Sequence, residues 1–170
     1  NKIDILVTAP INKDLSYSKS FKYTGHTDFF KHYFNTNPLM LMISEELKIA
    51  LLTDHIPIKD LSDALNKDLV KQKIKLLETC LLNDFKIKKP KIAVLAINPH
   101  AGDNGLIGNE DQSIITPAIN SFKGTASSIN GPFSADTFFV NENYKKYDGV
   151  IASYHDQGLI PFKTISFGKG

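Results

Sequence analysis

The chain has 170 residues, 42% of them hydrophobic and 22% charged, an ordinary globular composition with enough length to bury one sizeable core. A formal charge of +2, with no Lys/Arg run interleaved with aromatics along one face, points away from nucleic acid and from an anionic membrane and towards a small-molecule partner. No stretch approaches the roughly 18 continuous apolar residues of a membrane span, and Cys80 is the lone cysteine, so no disulfide framework is expected and a reducing cytoplasm is the expected compartment.

Residues 3–8 form an apolar run that ends at Ala9-Pro10 and reads as a strand. Thr27 is placed to cap a helix carrying Phe29, Phe30, Tyr33 and Phe34. Residues 39–44 and 47–53 are strand-like and are separated by Glu45-Glu46, a hairpin turn, which predicts a mixed sheet. Val70, Ile74, Leu77, Leu81 and Phe85 step by four, three, four and four, the apolar stripe of an amphipathic helix, with Lys71, Lys75 and Glu78 on its other faces. Residues 91–97 and 147–153 repeat the character of 47–53: short runs rich in Ile, Val, Leu and Ala. Between them, Asn109 and Gln112 have capping-box spacing for a helix reaching about Phe122, bent or broken at Pro117 and ended by Gly124. Strands alternating with helices make an α/β layer structure.

The runs 47–53, 91–97 and 147–153 each end within three residues of a histidine: His55, His100 and His155. Ligand-binding residues gather at the carboxyl edge of parallel strands, where loops converge on a rigid base. Three neutral imidazoles leave open positions on a divalent ion, which can then hold substrate oxygens and act as a Lewis acid. Asp54, Asp103 and Asp156 are close enough in sequence to orient a ligand imidazole. The histidines lie 45 and 55 positions apart, so no local ligand motif applies. Each taken singly also reads as a loop residue bonded to backbone or solvent. His32 falls within a helical pattern of aromatics and receives no role.

Two loops could hold substrate. Thr24-Gly25-His26-Thr27-Asp28 sets an imidazole and two hydroxyls before a helix N-terminus, a place that attracts phosphate or carboxylate and that equally suits a plain N-cap. Gly102, Gly105 and Gly108 are spaced G-x-x-G-x-x-G, unlike the dinucleotide fingerprint, and also fit a surface loop with turn geometry. Lys163, eight residues beyond His155, could return a positive charge to the same region or be an ordinary solvated lysine.

A series of local patterns runs in order along the chain: Tyr23-Thr24-Gly25-His26-Thr27, Thr53-Asp54-His55-Ile56-Pro57, Asn98-Pro99-His100-Ala101-Gly102, Asn130-Gly131-Pro132, Ala135-Asp136-Thr137, Tyr154-His155-Asp156-Gln157-Gly158 and Phe167-Gly168-Lys169-Gly170. With these the chain resembles the 4-hydroxythreonine-4-phosphate dehydrogenase family of pyridoxal phosphate biosynthesis over essentially its whole length. Lys169 stands where an arginine is common.

The resemblance implies a three-layer α/β/α, isocitrate/isopropylmalate dehydrogenase-like fold with a mixed sheet. It implies that residues 1–170 are one contiguous portion of a two-lobed dehydrogenase, truncated at both ends. The chain starts at Asn1 in an apolar run and stops just after another, which fits that expectation. It further implies a homodimer with active sites at its interface, NAD or NADP between the lobes, and a divalent metal (zinc, magnesium or cobalt) on His55, His100 and His155, the third supplied across the dimer. His26, Thr27 and Lys163 are implied to contact the phosphorylated substrate. The expected reaction is oxidation and decarboxylation of 4-phosphooxy-L-threonine to 3-amino-2-oxopropyl phosphate, with Asp136 and Asp156 as candidates for proton transfer or ligand orientation. Three rivals stand beside it: a related dehydrogenase of another hydroxy acid, a metal-dependent hydrolase, and a fragment that binds metal without turnover.

Overall fold

A computed structural model of the chain describes residues 5–18, 21–23 and 25–167, which fall into two compact units, residues 1–38 and 39–170. Within the first unit, helix α1 (Lys13–Ser16) is a single turn and α2 (His26–Phe34) is the only longer element among the described residues. The strand expected over residues 3–8 does not form in its described part: residues 5–8 carry no regular structure, with Ile5 and Val7 exposed, and residues 3 and 4 lie outside the described residues. Strand propensity is realised only against a neighbouring strand, and none pairs with this run among the described residues. Thr27 is likewise not the cap of α2. It sits inside the first turn, Gly25 precedes the helix without a side-chain cap, and the amide of Phe29 bonds to the Gly25 carbonyl at 3.0 Å. The aromatics of α2 stack at four-residue spacing, Phe29 on Tyr33 and Phe30 on Phe34. Asn35 ends the helix in the left-handed region, at φ 49°.

The second unit is built on a five-stranded sheet. Strands β1 (Leu41–Ile43) and β2 (Lys48–Leu51) form the expected antiparallel hairpin, closed by the Ser44 amide on the Leu47 carbonyl. Helix α3 (Leu61–Ala64) and the long α4 (Lys67–Asn83) lead to β3 (Lys91–Leu95). Next come a π turn (Asp111–Ile115), α5 (Thr116–Asn120), β4 (Ser128–Phe133), α6 (Ala135–Phe138), β5 (Gly149–Ala152) and α7 (His155–Ser166). The strand order is β1-β2-β5-β3-β4, with every pairing after the hairpin parallel. The sheet is mixed, as the sequence predicted.

Side-chain alternation along the strands divides the core in two. Ala50, Leu52, Ile92, Val94 and Ile151 face α4 and α5, while Ile49, Leu51, Ala93, Leu95, Val150 and Ala152 face the α6 and α7 side. Strands buried on both faces explain why these runs read as continuous apolar segments. The α4 stripe behaves as predicted: Val70, Ile74, Leu77 and Leu81 are fully buried, each contributing about 1.5–3 kcal/mol of apolar transfer. Asn66 caps α4 by accepting the Leu69 amide at 2.9 Å. Glu78, expected away from the core, is in fact buried, and its carboxylate takes a 2.6 Å bond from Lys75 Nζ. Phe85 lies beyond the helix end but packs on the same core.

Two local expectations fail at the next helix. No capping box forms at Asn109 and Gln112, because Glu110 and Asp111 turn their carboxylates back towards residues 97 and 98 instead. Pro117 does not break the helix, whose backbone stays helical from Glu110 to Asn120, but the run passes from π to α pattern between Ile115 and Thr116, just before the proline, and ends at Asn120 rather than Phe122. Strand β4 was not foreseen. Its Ser-Ile-Asn-Gly-Pro-Phe sequence lacks the β-branched run of the other strands, and pairing with β3 is what holds it extended.

Candidate functional site

The adjacent parallel strands β2, β5 and β3 deliver the three histidines to one edge. His55 follows the end of β2, His155 opens α7 directly after β5, and His100 lies in the loop after β3. His55 and His155 come together, their ring centroids 5.4 Å apart with planes tilted by 41°. Asp156 Oδ1 lies 2.7 Å from His155 Nδ1; in the tautomer that carries its proton on Nδ1 the carboxylate accepts this bond and Nε2 is left as the free donor atom. Among the described residues neither Asp54 nor Asp103 bonds to a histidine in this way.

The base under this pair is polar, buried and closely bonded. Thr53 Oγ1 donates to the Ser153 carbonyl at 2.8 Å, Ser153 Oγ donates to the Leu95 carbonyl at 3.3 Å, and Gln157 bonds to both the Ser153 amide and the Ala96 carbonyl. Helix α7 can seat this deeply because residue 158 is glycine. A Cβ there would come within 2.9 Å of side-chain atoms of Leu51 and Ile49.

His100 is presented differently. His100, Ala101, Gly102, Asp103 and Asn104 run consecutively in the left-handed region, with φ between 42° and 80°, a conformation that costs a non-glycine residue about 1–2 kcal/mol. Such a run persists only where its surroundings over-determine it. Here Asp111, 1% exposed, accepts the Ile97 amide at 2.9 Å and the Asn98 amide at 3.0 Å, one on each carboxylate oxygen. Glu110 takes Asn98 Nδ2 and Ser62 Oγ, both at 2.8 Å, and these bonds, the one from Asn98 foremost, hold its carboxyl below the ordinary glutamate value. Gly108 completes the clamp: at φ 116°, a Cβ there would lie 2.7 Å from the side-chain nitrogen Nδ2 of Asn98.

The expected catalytic carboxylates meet in one cleft. Asp136 and Asp156 line a cavity of about 550 Å³ between α6 and α7, together with Glu142, Gln157 and the apolar side chains of Phe139, Ile160 and Pro161. Asp136 accepts Ser134 Oγ at 2.6 Å, and that bond is the chief reason its carboxyl stays below the ordinary aspartate value. Lys163 is exposed on α7, two helical turns beyond His155, and does not line this cavity. His26 and Thr27 belong to the first unit, in the first turn of α2, His26 half-buried and Thr27 exposed. Thr24 and Lys169 lie outside the described residues. Cys80 is partly buried in α4, and burial, followed by the nearby Asp84, pushes its thiol up to about 11, which leaves it unreactive at neutral pH.

The donor set suits a borderline divalent ion: neutral imidazoles, one of them oriented by a carboxylate. Within a single chain the set is incomplete, because no group of three or more His, Cys, Asp or Glu side chains arranged to hold a metal forms among the described residues. Sequence reasoning found the histidines but gave no role to Asn98, Glu110, Asp111 or Gln157. Asn98 and Gln157 stand inside the local patterns without any signal of what they bond, and Glu110 and Asp111 fall between Asn109 and Gln112, whose spacing points only to a helix start.

A mixed three-layer sheet carrying histidines at the carboxyl edge of its parallel strands defines an α/β protein of the ligand-binding open-sheet class. A family model described as "Pyridoxal phosphate biosynthetic protein PdxA" matches residues 1–170, and the chain belongs to that family. It is 41% identical over 170 residues to the 4-hydroxythreonine-4-phosphate dehydrogenase of Bacteroides thetaiotaomicron, covering 99% of this chain and 47% of that protein. The crystal structure of 4-hydroxythreonine-4-phosphate dehydrogenase from Klebsiella pneumoniae superposes with a TM-score of 0.83 at 36% identity, over 94% of this chain and 48% of that one. A terephthalate 1,2-cis-dihydrodioldehydrogenase from Burkholderia xenovorans aligns with a TM-score of 0.72 at 30% identity, over 82% and 45%. The fold is therefore the isocitrate/isopropylmalate dehydrogenase-like one that the resemblance implied. The chain spans about half the length of the curated relatives it matches. No helix among the described residues is long and apolar enough to cross a membrane.

Proposed function

We propose that this chain is one portion of a two-lobed, metal-dependent 4-hydroxythreonine-4-phosphate dehydrogenase. The reaction is NAD- or NADP-linked oxidation of 4-phosphooxy-L-threonine with loss of CO2, giving 3-amino-2-oxopropyl phosphate on the route to pyridoxal 5′-phosphate. The observation that carries the reading is the meeting of His55 and His155 at the edge formed by β2, β5 and β3, in a chain whose relatives bear that enzyme's name.

His55, His100 and His155 would hold the metal. A homodimer with the site at its interface would bring in the ligand that one chain does not place; because His55 and His155 meet within the chain, that ligand would be His100 and not, as the resemblance implied, His155. Bound zinc, magnesium or cobalt would supply Lewis-acid polarisation of the substrate's oxygens, and the nicotinamide a hydride acceptor. The remaining work falls to the chain's own side chains. Asp156 keeps the His155 ring in one tautomer. Asp136, held ionised by Ser134, is equipped to accept the proton of the substrate's secondary hydroxyl at a carboxylate oxygen. The side chains of Phe139, Ile160 and Pro161 would give that side of the cleft an apolar wall against the substrate. Lys163, and His26 and Thr27 at the start of α2, would hold the substrate's phosphate and carboxylate. The protein acts in the cytoplasm.

The test is reduction of NAD or NADP by the full-length protein with 4-phosphooxy-L-threonine, alongside metal content and affinity of the wild type and of the His55→Ala, His100→Ala and His155→Ala variants. Stoichiometric metal lost in each variant, with substrate-dependent nicotinamide reduction in the wild type, is the expected result. Metal-dependent turnover without nicotinamide would replace this reading with hydrolysis, and metal binding without turnover would make the protein a non-catalytic binder. A second dehydrogenase reading is favoured by the Burkholderia xenovorans neighbour, which acts on a cis-dihydrodiol by its name. Oxidation of another hydroxy acid or vicinal diol in preference to the phosphorylated amino acid would select it.

A further inference from the structure

We infer that Gln157 is a positioning residue that sets the spacing between the His155 and His100 loops, its side-chain amide acting as one extra rung between β5 and β3. The two strands pair in parallel from Ile92 opposite Gly149 to Val94 opposite Ile151, and there the backbone ladder stops. Two residues further along each strand, the Ser153 amide and the Ala96 carbonyl do not bond to each other. Ser153 N–H donates instead to Gln157 Oε1 at 2.7 Å, and Gln157 Nε2 donates to the Ala96 carbonyl at 2.7 Å. A side-chain amide thus stands where a peptide group would continue the ladder. It satisfies one donor and one acceptor that would otherwise be unpaired, while holding the two strands one amide apart.

The opening lies where binding crevices form in open parallel sheets, beyond the carboxyl ends of neighbouring strands. His155 lies two residues before Gln157 on α7, and His100 four residues after Ala96, so the length of this amide bears directly on where both rings are presented. The chemistry is restrictive. A primary amide offers an acceptor and a donor side by side at that reach, which neither a carboxylate nor a thioether does. Glutamate would set a carboxylate oxygen against the Ala96 carbonyl, and methionine would fill the space but bond to neither strand. The Thr53 and Ser153 hydroxyl bonds join the ends of β2, β5 and β3 by other atoms, so the sheet does not depend on Gln157 to remain assembled.

The functional weight of this rung rests on the metal reading of the histidines proposed above. The experiment uses the full-length protein with cobalt(II) alone as probe, followed by calorimetry and by its visible d–d absorption, in the wild type, Gln157→Met and Gln157→Glu. Both variants are expected to keep native circular dichroism and cooperative unfolding, yet to bind cobalt about tenfold or more weakly with a shifted d–d band. Wild-type affinity and spectrum in both variants would overturn the inference while leaving the metal site standing. Failure of the wild type to bind cobalt would overturn the metal reading itself. Hydrogen exchange provides a check that needs no variant to fold: the Ser153 amide should exchange slowly in the wild type, and rapid exchange there would refute the rung.

Discussion

The two sides of the histidine edge are assembled by opposite means. On the β2–β5 side, His55 and His155 meet because two regular parallel strands end side by side and α7 starts at once, its approach permitted by Gly158. On the β3 side, His100 stands in a run of five left-handed residues that no regular element dictates, held by Asp111, Glu110 and Asn98. The first side inherits its geometry from the packed sheet. The second depends on a few buried hydrogen bonds that can be removed one at a time. Loss of stability and loss of binding should therefore separate between the two sides.

The largest effect is expected on the β3 side. Asp111→Ala leaves the part-buried Ile97 and Asn98 amides without their acceptor, at about 1–3 kcal/mol for each, so a total loss of about 2–6 kcal/mol should show in chemical denaturation. The His155→Ala variant should show the reverse pattern. Its side chain is 35% exposed and packs no core, so stability should change little, while divalent-ion affinity should fall at least a hundredfold, or about 2.7 kcal/mol. If Asp111→Ala spared stability, or His155→Ala unfolded the protein, the contrast between the two sides would be wrong.

The same contrast explains what the sequence could reveal. Strands β2, β3 and β5 were legible because burial on both faces leaves a continuous run of Ile, Val, Leu and Ala, and α4 was legible because one face is buried and the stripe repeats at helical spacing. The histidines followed from their place after those runs. Strand β4 was hidden because its residues have little intrinsic strand preference and owe their extension to β3. The run at residues 3–8 misled for the opposite reason, since strand-like composition says nothing of whether a neighbouring strand exists. The clamp on His100 was hidden more deeply. Asp111 acts through both carboxylate oxygens on amides 13 and 14 residues away, and no periodicity marks such a contact. Helix α2 shows the same limit: its aromatics keep helical spacing, yet none of its residues is buried, so spacing alone did not say what covers them.

A smaller change tests the β2–β5 side without removing a ligand. In Asp156→Asn the partner of His155 Nδ1 loses its charge but keeps its shape, so the imidazole is less firmly oriented. Affinity for the ion should drop by about 10-fold to 100-fold, with unfolding unchanged. A pure loss of turnover at full affinity would instead assign Asp156 to proton transfer.

The smallest effect is the acid response of the clamp. Glu110 is held below its ordinary value in the folded chain, chiefly by Asn98, so the unfolded state binds its proton more readily. Its contribution is therefore complete above the ordinary glutamate value of about 4.3 and is lost as pH falls through the lower folded value. Thermal midpoints followed from pH 7 to pH 3 should thus fall less steeply below about pH 4.3 in Glu110→Gln than in the wild type. The glutamine keeps an acceptor for Asn98 or Ser62 but gains a donor that one of them must face, so the variant should start slightly lower at neutral pH. Parallel curves for the two proteins would mean that Glu110 contributes shape but not charge to the loop that carries His100, leaving Asp111 as its principal anchor.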